Sequence, residues 1–211
     1  KQGVLARAYK DADFVTDKEG SLRLPDFFER MGYTPNKTFN TLSGDTRQLY
    51  YDLERDNRQI DIFISKFSMC HSIPFEGRLH ADPITIPLAE LFLTKTQIVE
   101  INRKDILDLL ALLLDHPVGS SDEETINANR IAELCARDWG LYTTTQMNLE
   151  RLVEQSREVG LDEESQRLIR RRILQLQDAM QAAPKTRGWK LRDKIGKRVR
   201  WYELPEEVQR T

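Results

Sequence analysis

Hydrophobic and polar positions divide the chain into two regimes. Before Pro87 the apolar residues fall in short runs bounded by Pro, Gly, Asn and Asp; beyond it they recur every three or four residues. In the first regime "YKDADFV" (9–15) predicts a short strand. The stretch "SLRLPDFFERMG" (21–32) spaces Leu24, Phe27, Phe28 and Met31 at helical intervals, with Pro25 suited to a first turn and Gly32 to a stop. Two further strands are predicted at "TRQLYYDLE" (46–54) and "RQIDIFIS" (58–65), joined by a charged loop around Asp56 and Asn57. "SIPFEGRL" (72–79) reads as another, with Pro74 at an edge or strand end.

From Pro87 the pattern predicts consecutive helices: "PLAELFLTKTQIV", "RKDILDLLALLLD", "NANRIAELCARD" and "GLYTTTQMNLERLVEQSREVG". The Pro-, Gly-, Ser- and acid-rich "HPVGSSDEE" (116–124) is a linker. The helix "DEESQRLIRRRILQLQDAMQAA" (162–183) turns Leu168, Ile169, Ile173, Leu176 and Met180 inward. Then "KTRGWKLRDKIGKRVRWYEL" (185–204) alternates basic with apolar or aromatic residues around Ile195-Gly196-Lys197, which predicts a basic β-hairpin. The order of elements predicts an α+β fold: a small mixed sheet with flanking helices, then a C-terminal helical region and the hairpin. Four segments follow: an α/β core over 1–84, a helical wall over 85–118, a helical region over 119–183, and a basic hairpin and tail over 184–211.

Charge adds an asymmetry. The chain of 211 residues carries a net charge of −2, but from Glu150 onward it holds 15 basic and 11 acidic residues, so the excess of base lies at the C-terminal end. Two distant cysteines, Cys70 and Cys135, suggest neither a disulfide framework nor a zinc knuckle, and a reducing cytoplasm is the expected location. The longest apolar run, "LLALLLD" (109–115), falls short of the roughly 18 residues a membrane span requires, so no membrane partner is expected. The chain starts at Lys1 rather than Met, and the natural start is expected to lie upstream.

Aspartate is poorly suited to strands, which makes three of them informative. Asp11 and Asp13 are two residues apart and would project from one strand face with Cα atoms roughly 7 Å apart, a spacing that lets both reach a hard cation. Asp61 sits among isoleucines in what reads as a central strand, where a carboxylate is costly unless paired or bound to metal. If the strands are neighbours, the three carboxylates could hold divalent ions for in-line phosphoryl chemistry. The alternative is a solvated edge strand in which Asp11 and Asp13 are surface charges. On the helix after Pro87, Lys95 shares the apolar stripe with Leu88, Leu91, Phe92 and Val99, and Asp108 lies in the nearly all-apolar helix that follows. Lys95 either contacts a nucleotide phosphate or forms an inter-helix salt bridge to Asp105 or Asp108. His71 and His80 lack zinc-ligand spacing.

The ordered set "YKDADFV", "RQIDIFI" and "LAELFLTKTQIVEINRKDILDLLAL" resembles the nucleotidyltransferase-like proteins of the DNA polymerase beta superfamily, nearest the abortive-infection AbiEii-type group. The resemblance covers roughly residues 7 to 115 and departs from the family in one respect: the Gly-Gly or Gly-Ser turn upstream of the DxD is missing from this chain, and Gly3 does not match it. It implies Asp11, Asp13 and Asp61 as catalytic metal ligands. Lys95, Arg103, Asp105 and Asp108 would form the nucleotide-binding wall, with Mg²⁺ or Mn²⁺ and a nucleoside triphosphate. The implied reaction transfers a nucleoside monophosphate to a hydroxyl of RNA, protein or a small molecule, with RNA or tRNA as a candidate acceptor and a cognate antitoxin as a candidate partner. A non-catalytic member of the fold would instead bind nucleic acid or a protein partner through the basic C-terminal hairpin, and a phosphodiesterase would use the same carboxylates with water as nucleophile.

The tail from Lys185 to Arg200 has eight basic residues against one acid, with Trp189, Trp201 and Tyr202 interleaved. Lys190, Arg192, Lys194, Lys197, Arg198 and Arg200 are therefore candidate nucleic-acid contacts, with the aromatics available for base stacking. The competing reading packs those aromatics on the helices and leaves Lys and Arg facing water.

Overall fold

The computed structural model describes residues 2–6, 12–54 and 58–204. Asp11, the loop around Asp56 and Asn57, and the last residues of the tail lie outside them. The chain forms two compact units: residues 8–68, 74–86 and 206–211 make a sheet unit, and residues 1–7, 69–73 and 87–205 make a helical unit. The α+β class read from the pattern is the class observed.

A short helix, α1 (Gln2–Leu5), belongs to the helical unit and packs on its second long helix. The sheet unit begins with β1 (Ala12–Thr16), then two helices, α2 (Lys18–Ser21) and α3 (Leu24–Arg30). Pro25 occupies the first turn of α3, and Gly32, at φ 79°, follows its end. The next elements are β2 (Thr34–Pro35), α4 (Lys37–Ser43), β3 (Arg47–Asp52) and β4 (Arg58–Ile64). Helix α4 has little apolar periodicity and is set by its cap, where Asn36 accepts from the Phe39 amide at 3.0 Å.

The sheet order is β1-β4-β3-β2, with β1 parallel to β4 and the other pairs antiparallel. β4 is central, as its two-sided apolar pattern requires. One face of the sheet carries Tyr50, Ile60 and Ile62 into a core with Phe28 of α3, whose ring stacks on Tyr50 at 4.2 Å. That burial fixes the register: a one-residue slip of β4 would move Ile60 and Ile62 out of the core and Asp61 into it.

The chain passes between units through β5 (Lys66–Ser68) and β6 (Ser72–Pro74). β6 is shorter than the strand read over 72–79, because a turn closes at Phe75–Arg78. The helical unit holds α5 (Leu88–Thr96), α6 (Arg103–Asp115), α7 (Ala128–Arg137), α8 (Trp139–Glu158), α9 (Glu163–Ala182) and α10 (Arg187–Ile195). The linker before α7 holds two residues of strand, β7 (Val118–Gly119), parallel to β8 (Ile126–Asn127). Helices α6 to α10 each start at a capping side chain, Asn102, Asn127, Asp138, Asp162 and Thr186 in turn. Such caps contribute about 1 kcal/mol each.

Helix α9 packs against α6, α7 and α8 through Ile169, Ile173, Leu176 and Met180, all fully or almost fully buried, while Leu168 is only half-buried. α5 and α6, expected as the wall of the sheet, thus group with the C-terminal helices. Arg172 of α9 donates to the carbonyls of Leu113 and Leu114 at 2.7 and 3.1 Å, closing the last turn of α6.

The expected β-hairpin over 185–204 is helix α10 followed by a single 3-10 turn, Gly196–Arg198. Three local features decide it. Thr186 caps the helix by accepting from the Trp189 amide at 3.2 Å, and Gly196 terminates it at φ 60°, where a glycine is favoured. Arg192 then donates to the carbonyls of Gly196 and Val199 at 2.6 and 2.7 Å, folding the chain back as an irregular strap.

Candidate functional site

The parallel register of β1 and β4 sets Asp13 opposite Asp61, so both carboxylates leave the sheet on the face away from the Phe28 core. Asp13 is exposed on the edge strand, and Asp61 is only 4% exposed at the centre of the sheet. Asp11, two residues before Asp13, lies outside the described residues. Among the described residues no group of three or more His, Cys, Asp or Glu side chains is placed to hold a metal ion.

Asp61 is not left bare. β3 runs antiparallel beside β4 with Leu49 opposite Asp61, and Arg47, two residues earlier, emerges on the same face. Its guanidinium donates to Asp61 Oδ1 through Nη2 and, at 2.8 Å, through Nε, while Gln59 Nε2 donates to Oδ2 at 2.7 Å. The guanidinium also lies over the rings of Phe63 and Phe39, 5.0 and 5.7 Å from their centroids. The buried carboxylate therefore has its charge compensated by one cation that two aromatic rings hold in place. Two hard-oxygen donors on one face match the chemistry of Mg²⁺ or Mn²⁺, provided the cation shares Asp61 with Arg47.

In the helical unit, Lys95 sits between two carboxylates of α6, with Nζ 3.1 Å from Asp105 and 2.9 Å from Asp108. Burial opposes its charge, but the hydrogen bond it donates to Asp108 and the charges of both aspartates outweigh it, and its pKa is raised. The salt-bridge alternative for Lys95 is thus the arrangement present, and it ties α5 to α6. Arg103 is exposed in the first turn of α6.

The C-terminal strap forms a second chemical cluster, on α7 and α8. Trp139 Nε1 donates to Asp193 at 2.7 Å while Arg192 covers the Trp139 ring at 4.9 Å. Trp189 meets Tyr142 edge-on at 5.4 Å, and Lys185 lies 5.1 Å from the Tyr142 ring and 5.6 Å from that of Trp189. Farther along, Lys197 and Arg200 lie over Trp201 and Tyr202. Trp189, Trp201 and Tyr202 are partly buried, each against a neighbouring ring or cation. Lys190, Lys194, Lys197, Arg198 and Arg200 are exposed, and Arg192 is partly buried.

His71 has no part in the sequence-derived site, yet it fastens this strap. Its Nε2 is 2.8 Å from Thr144 Oγ1, which also accepts from Trp201 Nε1 at 3.1 Å; the Glu203 amide donates to the Cys70 carbonyl at 3.0 Å. Gly140 makes the approach feasible, since a Cβ there would stand 2.5 Å from the Trp201 carbonyl oxygen. Burial lowers the His71 pKa against the opposing charges of Asp138 and Glu203. The folded state consequently disfavours the imidazolium. Stability of the helical unit is expected to be complete above the unfolded-histidine value of about 6.5 and to fall as pH drops below it. Urea titrations at pH 7.5 and 5.0 should show the loss for the native chain and a smaller one for His71→Gln; equal losses would remove His71 as the cause.

Both cysteines are free and buried, and burial pushes the Cys135 thiol up to about 12, which makes it a poor nucleophile. No helix among the described residues is long and apolar enough to cross a membrane. No family model, curated protein or solved structure matches the chain.

Proposed function

We infer that the sheet unit is a nucleotidyltransferase-type site that transfers a nucleoside monophosphate from a nucleoside triphosphate to a hydroxyl acceptor, releasing pyrophosphate. The observation that carries this reading is the placement of Asp13 directly opposite Asp61 on neighbouring parallel strands. Asp13 and Asp61, with Asp11, would hold Mg²⁺ or Mn²⁺; when bound, the ion neutralises triphosphate charge and aligns the reacting oxygens. Asp61, fixed by Arg47 and Gln59, orients its side of the site, and Arg47 adds positive charge to the face where the triphosphate would lie. RNA, protein or a small molecule could supply the hydroxyl.

A second reading has its own support. The Arg47–Asp61 pair compensates the central carboxylate without any metal, which is the arrangement expected of a member of this fold that binds a partner without catalysing transfer. The two readings separate when the chain is incubated with labelled nucleoside triphosphates, Mg²⁺ or Mn²⁺, and total RNA or protein. Transfer is expected, with a loss of roughly 100-fold or more in Asp13→Asn with Asp61→Asn. Transfer that survives the double substitution would remove these residues from the reaction. Absence of both transfer and triphosphate binding would favour the non-catalytic reading.

A further inference from the structure

We propose that the outer face of α10 and the turn after it bind the phosphate backbone of nucleic acid without reading its bases. The inference stands independently of any transferase activity, because it rests on the helical unit alone.

Helix α10 has two faces with different partners. Trp189, Arg192 and Asp193 face α7 and α8, where each is engaged as described. Arg187, Lys190 and Lys194 are spaced i, i+3 and i+7 and so share the opposite side, where all three are exposed. None has an ion-pair partner among the described residues, nor does Arg198. From Arg187 to Lys194 the helix rises roughly 10 Å, so these cations form a line and do not converge on one point. Lys197, Arg198 and Arg200 extend the exposed positive charge past the helix end.

A line of cations suits a polymer of evenly spaced anions better than a single compact anion. The engagement of Arg192 with the Gly196 and Val199 carbonyls fixes the strap, which limits the ordering cost of binding. An anionic membrane is the other polyanionic surface to weigh. Interfacial helices bury large apolar side chains, Trp and Phe among them. Here the tail's tryptophans are partly buried against the protein, and the exposed apolar residues of the helix and the turn are the aliphatic Leu191, Ile195 and Val199, 63%, 45% and 60% exposed, with no exposed aromatic among them. With the tail's aromatics partly buried against neighbouring rings and cations and the exposed cations on the outer side, affinity should follow phosphate charge.

The test uses the full chain and fluorescence anisotropy of a labelled uridine oligoribonucleotide of about 20 nucleotides, from about 50 to 200 mM salt. Four to six phosphate contacts give a slope of log affinity on log salt of about −3 to −4 for a single strand. Arg187→Gln, Lys190→Gln and Lys194→Gln combined should shrink that slope by about 2 and weaken binding more than tenfold, with the thermal unfolding transition unchanged. Lys190→Arg with Lys194→Arg should bind like the native chain, and an adenosine oligomer should bind within a few-fold of the uridine one. An unchanged slope in the triple variant, a strong preference for one base, or binding to phosphatidylserine vesicles without binding to the oligonucleotide would overturn the proposal.

Discussion

Arg47→Met is expected to lower the stability of the sheet unit by about 3–5 kcal/mol, the usual cost of breaking a buried ion pair from one side. The Asp61 side chain is 5% exposed, and without the guanidinium the side-chain amide of Gln59 is the one hydrogen-bond donor left to it among the described residues. Adding Asp61→Asn should recover much of the loss, because the uncompensated charge is what the single substitution creates. Far-UV circular dichroism in urea reads the effect. All three tryptophans belong to the helical unit, so a transition seen by dichroism but silent in tryptophan fluorescence belongs to the sheet. The same variant probes the proposed chemistry. A divalent cation that shares Asp61 with Arg47 should partly replace the missing guanidinium, so Mg²⁺ should stabilise Arg47→Met more than the native chain and should not stabilise the double variant. A cation effect equal in all three would count against Asp61 as a ligand.

The sheet was legible in the sequence because its strands follow from burial. "RQIDIFI" is apolar on both sides and therefore central, while the short "ADFV" run is less apolar and lies at the edge. Asp61 stood out for the same reason, as a carboxylate in an apolar run. Its partner did not. Arg47 is an ordinary charged residue at a strand start, and its meeting with Asp61 depends on which residue of β3 stands opposite which residue of β4. The register follows from the turn and from which positions are buried together, and nothing in the residue type at 47 marks it as the one that meets Asp61.

The C-terminal strap has a strand-like residue pattern and a helical structure, and the difference has a physical reason. From Lys190 to Trp201 the apolar residues Leu191, Ile195, Val199 and Trp201 all fall on odd positions among basic ones, which suggests the period of a strand despite Asp193 and Lys197, and Ile195-Gly196-Lys197 looks like its turn. Tertiary contacts overrule that period. Trp189 and Arg192, three apart, can both reach the same aromatic surface only on a helix, and Gly196 serves as the helix terminator. The short α4 has little apolar periodicity to predict it, because it rests on a cap that one side chain provides.

In the helical unit the largest single effect is expected at Arg130, whose Nε donates to Glu90 at 2.9 Å. Glu90, in the first turn of α5, has a side chain with no solvent exposure, and Arg130 of α7 is 15% exposed. Arg130 also reaches Glu133, which in turn binds Arg137 at the surface, so the buried pair is the inner end of a short ionic chain. Arg130→Met removes a cation from the buried Glu90 carboxylate and should cost about 3–5 kcal/mol, whereas Arg137→Met, at the exposed end, should cost less than about 1 kcal/mol. Because α5 is held to α7 by Glu90 and to α6 by Lys95, loss of the first tie should also loosen the second. Urea unfolding followed by tryptophan fluorescence measures the first effect, and hydrogen exchange along α5 measures the other. Combining Glu90→Leu with Arg130→Met should restore most of the stability, since an apolar pair of similar volume needs no charge compensation. If the double variant is as unstable as Arg130→Met alone, the pair's contribution lies in packing and not in its charges.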